Sequence, residues 1–169
     1  AMDDTETAKS WYRLAARHPT TYYGQLAIAR IRPGSSLDLF PRPKAVEGET
    51  KVFKAHELVR AVKVLGDAAG QDWLRPFILR LDELAVTLDW RMLTSKLARA
   101  NGRPDLSLLV AKRTSRDTLT FSEAAFPEIV PPPVRGKVGG PQVEVPLVLA
   151  VIRQESAFNV KARSRANAQ

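Results

Sequence analysis

An all-α chain is predicted by three observations. Apolar residues recur at helical spacing, Ala, Leu, Arg and Lys fill the interiors of the runs, and Pro, Gly or Asn-Gly punctuate them. Period-two alternation is absent, so no strand is expected. Helices of ~11–18 residues with short connections predict antiparallel hairpins stacked into an irregular superhelical array.

The elements follow in order. Residues 5–17 place Trp11, Leu14 and Ala15 on one face, and His18-Pro19 ends the run. Thr20 or Thr21 caps a second helix reaching Ile31, which Pro33-Gly34 stops. Residues 35–48, with Pro41, Pro43 and Gly48, read as a loop. A helix over about 49–66 turns Val52, Phe53, Leu58, Val59, Val62 and Leu65 inward, and Gly66 and Gly70 bracket its end. Asp72 caps the next helix to Val86, with Pro76 tolerated near its first turn. A helix over about 88–100 ends at Asn101-Gly102, and Pro104 opens another to about 115. The aromatics Trp11-Tyr12, Tyr22-Tyr23, Trp73 and Trp90 are expected in the core rather than as sugar platforms. Internal self-similarity is weak, so the array is irregular and belongs to no named repeat family.

Composition changes at Phe126-Pro127. Pro131-Pro132-Pro133, Gly136 and Gly139-Gly140 follow, a stretch of low helix propensity. The domain boundary is expected there: residues 1–125 as the helical array, residues 126–169 as the opening of a second domain too short to close a core alone.

The 44% hydrophobic and 26% charged content is that of a globular protein. Net charge is +8, and residues 1–50 are nearly balanced at 7 basic and 6 acidic, so the excess lies in the later two-thirds. A basic surface suits an anionic partner such as a carboxylate-bearing wall polymer, although scattered charge also fits a solvated face. No aromatic–basic platform or DNA-reading motif is present, so nucleic acid is not an expected partner. The absence of cysteine removes disulfides and thiolate chemistry. His18 and His56, far apart, make no metal site, and no metal or cofactor is expected. The apolar run 145–152 is too short to span a bilayer. The chain opens Ala-Met-Asp-Asp without a basic start or apolar core, so no signal peptide is expected in this stretch. The Ala-Met start reads as an added junction, and an export signal is taken to have been removed ahead of it.

The most informative stretch is Val145 to Phe158, an apolar helix carrying one carboxylate, Glu155. Val148, Val151, Ile152, Glu155 and Phe158 follow an i, i+3, i+4, i+7 pattern, which predicts the carboxylate on the buried stripe. A free Glu, with a pKa of ~4.3, is protonated only about one part in 500 at neutral pH; desolvation raises that fraction and makes the group an acid. The competing reading is a rim residue whose carboxylate reaches water.

Leu149-Ala150-Val151-Ile152-Arg153-Gln154-Glu155-Ser156-Ala157-Phe158 resembles the first catalytic motif of the soluble lytic murein transglycosylases, which are related to goose-type lysozyme. Ser164-Arg165-Ala166-Asn167-Ala168-Gln169 resembles the family's Ser-Pro-Ala-Gly-Ala stretch, with Arg165 for Pro and Asn167 for Gly. Arg99 to Lys112 and Tyr22-Tyr23-Gly24 resemble the superhelix that precedes the catalytic domain in long members. The resemblance implies the first part of a lysozyme-like helical domain after the array, and a periplasmic location. It implies cleavage of the MurNAc–GlcNAc bond of peptidoglycan glycan strands with formation of a 1,6-anhydro sugar. Glu155 is then the catalytic acid and base, and Ser156 a substrate-binding hydroxyl beside it, unless that hydroxyl bonds only to backbone. Arg153 and Gln154 point off the predicted stripe and receive no role. The nearest other acid, Glu144, is about three turns and ~16 Å away along a helix, beyond the ~5–9.5 Å of a two-carboxylate glycosidase. The family's Gly-Leu-Met-Gln motif does not occur in these 169 residues, so they are expected to be truncated within the catalytic domain and to have little activity alone. The alternative is a non-catalytic helical module that binds peptidoglycan or a partner protein.

Overall fold

The computed structural model describes residues 5–19, 21–34, 45–114, 122–127, 129–130 and 143–164. Every regular element among them is helical, as the sequence predicts. They are α1 Thr5–Ala15, α2 Tyr22–Ile31, α3 Glu47–Ala55, α4 Glu57–Asp67, a 3-10 turn Gln71–Trp73, α5 Leu74–Glu83, α6 Leu88–Ala100, α7 Pro104–Thr114, α8 Ser122–Ala125 and α9 Val145–Glu155. The Pro131–Pro133 and Gly136–Gly140 stretch, the Pro41 and Pro43 loop and the Arg165–Gln169 end lie outside the described residues. Residues 1–41 and 42–169 form separate compact units. The boundary expected between 125 and 126 falls inside the second unit.

In the first unit α1 and α2 pack on each other. Thr21 caps α2: its Oγ1 accepts from Gly24 N at 3.0 Å and donates to His18 O at 2.8 Å. A Cβ at Gly24 would lie 1.9 Å from the His18 carbonyl oxygen, so only glycine fits that approach. The expected aromatic core is not built here. Trp11 is 65% and Tyr23 75% exposed, and Tyr22 meets Tyr23 edge-on in solvent. Gly24, Ala27 and Ile28 are buried instead.

The second unit holds a continuous core. Phe53, Val59, Val62, Leu74, Ile78, Leu81, Leu97, Ala98, Leu106 and Val110 pack together across α3–α7. The predicted single helix over 49–66 is two helices. His56 is extended (φ −66°, ψ 137°), and its Nδ1 accepts from Leu58 N to start α4. Val52 is correspondingly exposed rather than inward. Asp72 does not cap α5; it sits on the 3-10 turn with the exposed Trp73, whose predicted burial is also overturned. Trp90 alone meets the core expectation in part: it packs edge-on to Phe53 and donates Nε1–H to Leu81 O at 3.0 Å. The 88–100 helix stands as predicted, capped by Thr87 and ended by Gly102 at φ +73°.

α6 and α7 approach closely through small residues. Ser95 and Ser107 hydroxyls lie 2.9 Å apart in a buried contact, beside Ala98 and Ala111. α8 closes onto this pair, with Ala124 packed against Met92 and Ala111. The α8 backbone is thereby fixed to α6 and α7, which matters for what it holds.

Candidate functional site

α9 begins after Glu144, whose backbone is extended, with Pro146 in the first turn where its missing N–H costs nothing. Its end is built by Ser156: the Ser156 N–H and Oγ both donate to Ile152 O, each at 3.0 Å. Ala157 (φ 50°) and Phe158 (φ 63°) then turn left-handed in succession. For residues with a Cβ this costs about 1–2 kcal/mol each. The turn is paid back by the burial of Phe158, 7% exposed, and by bonds from Asn159 N to Ser156 O (2.9 Å) and from Lys161 N to Asn159 Oδ1 (3.0 Å). Strained backbone therefore lies two and three residues beyond the candidate acid.

Two side chains tie this segment to the rest of the unit. Arg153 Nε donates to Ala125 O at the end of α8, at 2.8 Å, and its guanidinium lies 4.7 Å from the Phe126 ring centroid. Lys161 bonds both carboxylate oxygens of Asp72 on the 3-10 turn. That ammonium, by hydrogen bond and then by charge, holds the Asp72 carboxyl below the usual carboxylate range. Neither tether is visible in the sequence, which leaves Arg153 off the predicted stripe without a role and offers Asp72 as a helix cap.

The orientation of α9 differs from the expected one by a single residue. The half-buried positions Leu149, Ile152, Arg153 and Ser156 form the i, i+3, i+4, i+7 set, with Val148 at its edge. Of the predicted stripe, Val148 and Ile152 stay half-buried and Phe158, beyond the helix, is buried, but Val151 and Glu155 are turned to solvent. Leu147 is 58% and Val151 52% exposed, Glu155 is exposed with them, and no residue of α9 is buried. The expected apolar enclosure of Glu155 is thus not formed by the described residues. Leu147, Val151 and Glu155, at i, i+4 and i+8, instead make an outward apolar stripe ending in a carboxylate.

The Ser156 hydroxyl proton is engaged by backbone, leaving its oxygen lone pairs as acceptors. Glu144 and Glu155 flank or end an eleven-residue helix and so stand at opposite ends of it. Among the described residues no group of three His, Asp or Glu could hold a metal ion. An open crevice of about 530 Å³ between α3 and the α5–α6 connection is lined by Val52, His56, Val86 and Trp90, not by Glu155.

Comparison with known proteins finds no match to a family, to a curated protein or to a solved structure.

Proposed function

We propose that this chain belongs to a peptidoglycan lytic transglycosylase, with Glu155 as its single acid and base. The observation that carries the reading is the outward stripe Leu147–Val151–Glu155 on a helix pinned by its opposite face. Apolar side chains left half in water favour whatever covers them, by ~1 kcal/mol or more each. A surface laid over Leu147 and Val151 dehydrates Glu155 in the same step and favours its protonated form. The protonated carboxyl donates to the glycosidic oxygen between MurNAc and GlcNAc as the muramic C1–O bond breaks, and GlcNAc leaves with that proton on its 4-hydroxyl. The carboxylate then takes the proton of the muramic C6 hydroxyl as that oxygen closes on C1, giving the 1,6-anhydro ring. One group performs both transfers, so the absence of a second acid beside Glu155 on its helix is consistent with the reaction. Ser156, with free lone pairs, orients the carboxyl group or a substrate hydroxyl.

On this reading the covering wall comes from the Gly-Leu-Met-Gln stretch and the chain beyond it in the family, and the protein works on glycan strands in the periplasm. Among the described residues no helix is long and apolar enough to cross a membrane. The test is release of anhydro-muropeptides from purified peptidoglycan, read by mass spectrometry, by the protein extended through that stretch. Wild type is expected to release them, Glu155→Gln to fall by a factor of at least ~10³ while still binding the polymer, and residues 1–169 alone to release little. Release by Glu155→Gln at the wild-type rate overturns the reading. The exposure of Glu155 favours one other reading, a non-catalytic module that binds peptidoglycan or a partner protein; polymer binding without any Glu155-dependent release would support it.

A further inference from the structure

α9 is apolar on most of its circumference. Val148, Leu149, Val151 and Ile152 supply comparable surface in several directions, so burial alone selects no unique face. Within α9 itself, the side chain that distinguishes one azimuth is Arg153. Its Nε–H bond to Ala125 O and its seat over the Phe126 ring need the guanidinium on the α8 side. α8 in turn is fixed by Ala124 against Met92 and Ala111. Residues two apart on a helix point about 200° apart. Clamping Arg153 inward therefore turns Glu155 outward, beside Val151.

We infer that Arg153, seated on Ala125 and Phe126, is a positioning residue that sets the rotation of α9 and thereby presents Glu155 on the outward stripe. This rests on the proposed function for its catalytic meaning, but not for its geometry. Without the clamp, the stripe Val148–Val151–Ile152 competes for the inward position and draws Glu155 in with it. Lysine does not replace arginine here, because it lacks both the planar cation that lies on a ring and the Nε–H donor.

Carboxyl labelling by a water-soluble carbodiimide, read by mass spectrometry on the intact chain, tests the geometry with Glu144 as the internal reference. In Arg153→Ala, and in Phe126→Leu, which removes the ring from the other side, Glu155 labelling relative to Glu144 is expected to fall about threefold or more; Arg153→Lys is expected to resemble Arg153→Ala. Unchanged or increased Glu155 labelling in the first two overturns the inference. In the extended protein, Arg153→Ala is expected to lower kcat on the order of tenfold to a hundredfold with KM within about twofold, the signature of a misplaced acid. A raised KM with unchanged kcat contradicts the positioning role. Absence of Glu155-dependent release by wild type defeats the enzyme reading instead, and leaves the labelling result to decide the clamp.

Discussion

Asp82 on α5 and Arg113 on α7 are joined by a 2.9 Å ion pair in which the carboxylate side chain is only 5% exposed and the guanidinium is half in water. Arg91 Nε approaches the other carboxylate oxygen at 3.7 Å, and that oxygen has no hydrogen-bond partner among the described residues. The two partners are therefore unequal. Arg113→Met leaves a buried charge facing one imperfect cation and is expected to cost about 3 kcal/mol. Asp82→Asn releases two arginines that reach water and is expected to cost about 1–2 kcal/mol. Urea denaturation of both variants checks the order; a greater loss in Asp82→Asn contradicts it.

Thr87 serves two elements. Its Oγ1 accepts from Trp90 N at 3.1 Å, capping α6, and donates to Glu49 on α3 at 2.7 Å. Thr87→Ala is expected to lower stability by about 1–2 kcal/mol, and Thr87→Ser to stay within about 0.5 kcal/mol of wild type. Thermal unfolding followed by circular dichroism measures both.

The left-handed pair after Glu155 makes opposite predictions at adjacent positions. Ala157→Gly removes the Cβ penalty at φ 50° and is expected to stabilise by about 1 kcal/mol. Phe158→Ala empties a buried site and is expected to cost about 3 kcal/mol despite the same backbone geometry. If Ala157→Gly destabilises, the turn is not strained.

The Lys161–Asp72 tether has a defined pH dependence. Because the folded carboxyl is held low, its contribution is fully present above the unfolded carboxylate pKa and is lost as pH falls through the depressed folded value. Lys161→Met is expected to return the Asp72 titration, followed by carboxyl-carbon NMR, to the ordinary range. At neutral pH the tether is present in wild type and weakened by salt, since both groups are exposed.

Much of the helix pattern was legible in particular residues. Thr21, Asn101-Gly102 and Pro104 mark ends that the structure reproduces, because caps and glycine turns act within three or four residues. The break at His56 was not legible: apolar spacing continues from Phe53 through Val59 and Val62, and histidine is a weak cap signal. The aromatic positions misled for another reason. Trp11, Tyr23 and Trp73 have the residue types of a core, but their burial depends on which neighbours arrive.

Glu155 and its motif could be picked out from the chain alone, since an isolated acid in an apolar run is a local anomaly. Its facing could not. A helix greasy on most sides has no preferred rotation of its own, so the choice fell to Arg153 meeting Ala125, 28 positions back. The ends of helices were set by nearest neighbours along the chain; the face of α9, the Asp82–Arg113 pair 31 residues apart and the Lys161–Asp72 tether 89 residues apart were decided only when folding brought distant groups together.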